Sequence, residues 1–224
     1  MAELVDSTDA YWGPRRRISL VALVAVNLLP LAGVVFLDWD VASLMVLYWS
    51  ENIILGFFTL LKMVMVAPLG TLFAGPFFVI HYGGFCGVHG LFLVSLLLDS
   101  DFSPMPDDPW PAFLVFPQLL LNVCLEVLRF APPEWMFAFA ALFASHGISF
   151  MVNFLRGPER EAGSAQKLMT QPYGRIVVLH VAILFGAFAI SIFGEKLFML
   201  VILVLVKLGL DVTLHLREHR KAAP

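Results

Sequence analysis

The chain carries run after run of about twenty apolar residues with almost no charge inside them. Phe73 to Leu98, for example, contains no Asp, Glu, Lys or Arg. Such a run is long enough to cross the roughly 30 Å hydrocarbon core of a bilayer as a helix. A water-soluble fold of 224 residues could not bury a composition that is 60% hydrophobic with a mean hydropathy of +0.87. The expected fold is all-α, a polytopic transmembrane helical bundle with the lipid bilayer as its first partner. Nucleic acid is not an expected partner, because no basic face interleaves with aromatic residues. Cys86 and Cys124 lie in apolar segments without CxxC spacing and are expected to be free thiols.

Residues 1–17 read as a cytoplasmic tail, 18–216 as one transmembrane domain and 217–224 as a second cytoplasmic tail. Arg15-Arg16-Arg17 precede a first span, Ile18 to Leu37, that reads as a signal anchor. Asp38-Trp39-Asp40 suits the outer face. Val41 to Met65 follows. Pro68, Gly70 and Pro76 predict a turn before the span that ends at Asp99. Asp99 to Pro111 is an acidic outer loop. Ala112 to Phe130 either crosses or lies along the outer interface, its stripe of Gln118, Asn122 and Glu126 facing water. Further spans are Glu134 to Leu155, Ile176 to Phe193 and Leu197 to Leu216, with Arg156 to Arg175 a cytoplasmic loop. Six spans put nearly all Lys and Arg on one side, whereas seven abolish that bias. The positive-inside rule therefore favours six plus one outer amphipathic or re-entrant segment, seven being the alternative.

Several polar residues sit where hydrocarbon should exclude them. They are Glu51 and Asn52, His81 and His89, His146, Ser149 and Asn153, His180, and the stripe Lys207, Asp211 and His215. An acid or Lys at the centre of a spanning helix costs about 2.5–3.5 kcal/mol on insertion scales. Such residues persist when they pair, line a cavity or bind something. At 1.5 Å of rise per residue, Glu51, His81, His146 and Lys207 fall roughly 12–16 Å from the inner boundary, in one plane. His180 and Asp211 fall at about 7–9 Å. His89 lies about 12 Å beyond His81, in an outer layer or in helix packing. The plainer reading is that each His bonds a neighbouring helix and that Asn52 and Asn153 are interhelical glue.

Imidazole and carboxylate donors in a dry site suit Zn, Fe or Mn. The first expectation is thus an intramembrane metal site with ligands drawn from His81, His146, His180, Asp211 and His215, Glu51 acting as general base and Lys207 balancing an acid. Its substrate would be a small molecule or a lipid. The second is a small proton- or ion-coupled transporter, helped by discontinuous helices near Pro76 and Gly83-Gly84. The third is haem-based electron transfer with His81 and His146 as axial ligands.

The motifs YWSEN (from Tyr48), HYGGFCGVHG (from His81), SHGISFMVNF (from Ser145), LMTQPYGR (from Leu168) through His180, and the terminal Lys-x3-Asp-x3-His resemble a family of prokaryotic multi-pass membrane proteins known as a domain of unknown function. The resemblance covers about Val41 to His215. It implies a prokaryotic inner (plasma) membrane protein with these motifs as its signature, both termini being cytoplasmic on the charge argument above. It implies no activity, substrate or cofactor.

Overall fold

The computed structural model describes residues 14–98, 103, 108–155 and 164–221, with side chains described from residue 24 onward except 26, 211 and 214–221. No strand occurs among the described residues. The helices are α1 Pro14–Leu37, α2 Val41–Val66, α3 Pro68–Leu97, α4 Val115–Phe130, α5 Pro133–Ser149, α6 Ala165–Thr170, α7 Tyr173–Phe193 and α8 Leu197–Lys221. A 3-10 turn, Ala112–Leu114, leads into α4, and a π-helical turn, Phe150–Phe154, ends α5. Among the described residues, five stretches are long and apolar enough to cross a membrane: Val41–Val66, Pro68–Leu97, Ala112–Phe130, Pro133–Phe154 and Ala165–Phe193.

The Asp38-Trp39-Asp40 corner follows from local chemistry. Asp38 adopts the left-handed conformation (φ 54°), as a residue just past a helix end often does. The Trp39 amide then donates back to the Gly33 carbonyl at 3.1 Å. Asp40 caps α2, its carboxylate accepting from the Ser43 amide at 2.7 Å. The second corner departs from expectation. The chain does not turn over Pro68 to Pro76; only Ala67 separates α2 from α3, and Pro76 lies inside α3. Pro68 starts the helix because a first-turn residue needs no N–H. Within a long apolar helix, Pro76 removes one ladder bond without ending the helix.

Glycines set how the helices approach. A Cβ at Gly87 would stand 3.0 Å from the Leu120 backbone nitrogen, and one at Gly90 would stand 2.5 Å from the Trp49 ring and 2.7 Å from Val123. Gly84 meets Phe116, Gly87 meets Leu120 and Gly90 meets Val123, so α3 and α4 run parallel and end together. α2 runs antiparallel to α3, since Trp49 meets Gly90 whereas Gly56 meets Tyr82. The start of α2, the ends of α3 and α4 and the start of α5 share one end of the bundle, where Ala42, Leu98, Phe130 and Trp135 line one small cleft. Lys196 ties the α7–α8 turn to that same end, donating to the Leu97 carbonyl at 2.8 Å. Gly194, left-handed at φ 74°, closes α7.

Of the two readings of α4, the one with its polar stripe facing water is overturned. Gln118 and Glu126 are buried, while Leu121, Leu125 and Leu128 are about half exposed. Gln118 accepts from the Trp110 amide and donates to the Asp108 carbonyl, folding the preceding segment down beside mid-α3. Glu126 accepts from Arg129 at 3.1 Å. Polar groups turn inward and leucines outward when the surroundings are apolar.

Two sequence motifs interlock at the core. Trp49 Nε1 donates to the Cys86 carbonyl and the Tyr82 hydroxyl to the Asn52 carbonyl, each at 2.8 Å. Both cysteines are free thiols. Trp49→Phe keeps the ring packing and removes one buried hydrogen bond. It is expected to cost about 1–2 kcal/mol in reversible unfolding, because the Cys86 carbonyl loses a partner.

Candidate functional site

The span after α5 is not one unbroken helix. Ser164 caps α6, accepting from the Lys167 amide at 3.3 Å. Helix α6 buries Ala165, Leu168 and Met169 in a cluster with Met63, Phe78 and Tyr82. The chain breaks at Gln171-Pro172 and resumes as α7. Pro172 supplies no N–H to continue the first helix and pre-sets the start of the second. Residues 164–175, expected in a loop, instead pack along α2 and α3, with Ala165, Leu168, Met169 and Pro172 buried and Ser164, Lys167, Thr170 and Gln171 exposed. They deliver Tyr173 and Arg175 to the level of Glu51, roughly 22 Å along α2 from Val66.

Glu51 is the hub. Its Oε1 accepts from His146 Nε2 of α5 at 3.2 Å, and its Oε2 accepts from Arg175 Nη2 of α7. The Glu51 side chain is 14% exposed and that of His146 24%. Three helices therefore converge on one carboxylate. Beside it lies a cavity of about 200 Å³ lined by Thr59, Lys62, His146, Ser149, Gln171 and Arg175 among others. Lys62 Nζ sits 5.1 Å over the Phe154 ring. Both irregular backbone segments, Gln171-Pro172 and the π turn beginning at Phe150, reach this cavity. A second cavity of about 80 Å³ is lined by Tyr48, Asn52, Arg175 and Lys207. Arg175 is common to both. Lys207 Nζ lies 5.0 Å over the Tyr48 ring. Asn52 Nδ2 donates to the Tyr48 carbonyl at 3.0 Å, and its buried Oδ1 has no hydrogen-bond partner among the described residues.

The other histidines go elsewhere. His81 Nδ1 pairs with the Tyr173 hydroxyl at 2.8 Å. His89 Nδ1 donates to the Phe85 carbonyl at 2.6 Å, and His89 Nε2 pairs with His180 Nδ1 at 3.0 Å. The expected separation of His89 from His180 is thus corrected: they touch, because α7 starts far up the bundle. Asn153 bonds Ser149 at 3.1 Å on an exposed surface. His81, His146 and His180 are not brought to one point, and no group of three His, Cys, Asp or Glu with metal-binding geometry occurs among the described residues. The side chains of Asp211 and His215 lie outside the described residues. Helix α3 is continuous through Pro76 and Gly83-Gly84, so the helix breaks are not where they were expected.

Arg175, Tyr173 and Gln171 do not stand out in the sequence. The signal is the Gln-Pro-Tyr-Gly-Arg string, which reads as a turn at an interface and is instead a break between two helices at the level of Glu51.

Residues 13–224 match a family of unknown function, DUF6498. No curated protein and no solved structure matches the chain.

Proposed function

We propose that this chain, which belongs to that family of unknown function, is an integral membrane protein that carries a small anion together with a proton. The observation behind this reading is the Glu51 carboxylate, held by His146 and by Arg175, the residue that two cavities share, beside a broken helix. Broken helices and irregular backbone within a spanning bundle are found where they line a cavity, and carriers place their sites there. Lys62 and Arg175 line the larger cavity together with His146, and cationic side chains there suit an anion.

The chemistry follows from the pairings. An ionised Glu51 occupies Arg175 and keeps the two cavities apart. A proton arriving through His146 neutralises Glu51 and frees the guanidinium for an incoming carboxylate or phosphate. Loss of the proton restores the ion pair and expels the anion. The same side chains would serve a metal centre or a haem poorly, since His81, His146, His89 and His180 are committed to three separate sets of partners.

The topology that suits this reading has six crossings. Parallel α3 and α4 ending at the same level support reading α4, with the 3-10 turn before it, as a re-entrant segment entered from the outer side. Both termini, Lys62 and Lys167 then lie toward the cytoplasm, as in a prokaryotic inner membrane.

The test uses proteoliposomes holding a pH-sensitive dye and given inward gradients of phosphate, sulfate, and mono- and dicarboxylates in turn. At least one anion is expected to acidify the lumen, and Glu51→Gln is expected to abolish that signal. Acidification by none of them, or at the wild-type rate in Glu51→Gln, would falsify the reading.

A further inference from the structure

A cavity of about 740 Å³, larger than either one beside Glu51, opens on the far side of α3 from Glu51. Its wall runs along α3 from Phe77 to Phe92, about 22 Å. Phe113 and Phe116 close one flank and the α7 residues from His180 to Ala187 the other. Almost all of the lining is apolar. The polar groups in it are imidazoles: His81, His89 and His180.

The hydrogen bonds fix the polarity of two of these rings. The Phe85 carbonyl only accepts, so His89 Nδ1 carries the hydrogen in their 2.6 Å bond. In a neutral ring His89 Nε2 is then an acceptor, and the 3.0 Å contact requires His180 Nδ1 to donate to it. A neutral His180, an exposed residue of α7, therefore presents its Nε2 lone pair on a ring at the edge of this open apolar groove, where the proposed bilayer surrounds it with hydrocarbon. A lone pair in apolar surroundings is satisfied by a donor. Lipid tails supply none. A carbonyl or ether oxygen cannot donate either.

We infer that the cavity between α3, α4 and α7 binds a long-chain alcohol, an apolar chain ending in a hydroxyl that donates to His180 Nε2. The cavity's length along the bundle suits an extended chain, and its aromatic wall suits an isoprenoid or an alkyl body alike. This site is separate from the anion route and does not depend on it, since Glu51, His146 and Arg175 do not line it.

The experiment compares each alcohol with its own methyl ether, which keeps the chain and loses the donor. Radiolabelled geranylgeraniol and oleyl alcohol, and their methyl ethers, are titrated onto the purified full chain in detergent at about pH 8.5, above the ordinary imidazole range. At least one alcohol is expected to bind saturably and about fivefold tighter than its ether, the worth of one net hydrogen bond of about 1 kcal/mol. Preference in the geranylgeraniol pair marks an isoprenoid occupant and preference in the oleyl pair an alkyl one. His180→Leu should bring the alcohol down to the affinity of the ether while chain binding persists. Val88→Trp, which fills the cavity, should remove both. Unfolding midpoints of both variants are measured alongside, so that lost binding in a folded protein is what is scored. Equal affinity for alcohol and ether, or a preference that survives in folded His180→Leu, overturns the inference.

Discussion

Replacing Arg175 with Met is expected to destabilise the protein by about 2–3 kcal/mol. It strips the guanidinium from Glu51, whose side chain is only 14% exposed, leaving a carboxylate with His146 as its remaining partner. Breaking a fully buried pair costs about 3–5 kcal/mol. The lower figure applies here because Arg175 is itself 38% exposed and partly screened. The check is a double-mutant cycle. Adding Glu51→Gln to the Arg175→Met variant should recover most of the loss, since it removes the charge left behind. A cycle with no coupling, both single variants unfolding like wild type, would mean that Glu51 is solvated without Arg175.

The second large effect is expected at Gly87. A valine there puts its Cβ 3.0 Å from the Leu120 nitrogen and 3.3 Å from the Leu120 Cα, which are backbone atoms and cannot swing aside. Helix α4 must move as a body, which opens the contact of Val123 with Trp49 and Gly90. Overpacking in a core costs about 1–3 kcal/mol where side chains can yield. With backbone as the obstacle, Gly87→Val is expected to reach or exceed the top of that range and to give aggregated protein on size exclusion. Gly209→Ala is the control. No described atom lies within 4 Å of its Cβ position, and exchanging Gly for Ala in a helix should raise stability by up to about 1 kcal/mol. Equal behaviour of the two variants would contradict the α3–α4 packing described above.

Much of the helix layout is legible in the chain because apolar periods and charge gaps are properties of single segments. Val41–Val66 and Leu197 as the start of α8 agree with expectation to within a residue. The pairing of Glu51 with His146 is foreshadowed too, since counting rise places both about 15–16 Å from one boundary. What fails is the premise that a cation marks an interface. Reading Arg175 as such a mark starts α7 too low and His180 with it, which hides the contact with His89. The polar stripe of α4 is misjudged for a related reason. Periodicity shows that Gln118 and Glu126 share a face but not which way that face turns, and the answer depends on the neighbouring α3. Arg175 lies 124 positions from its partner Glu51, a separation that no local pattern encodes.

The parallel course of α3 and α4 has a consequence for how the protein is made. In the proposed bilayer, a segment that goes in and returns on the same side cannot be laid down as one leg of a hairpin during synthesis. Helix α3 would wait with its glycine face against lipid until the stretch from Ala112 arrives from outside and docks. A photo-crosslinking residue at position 87 should accordingly label lipid in chains arrested before residue 112 and the Leu120 region of α4 in chains arrested after residue 155.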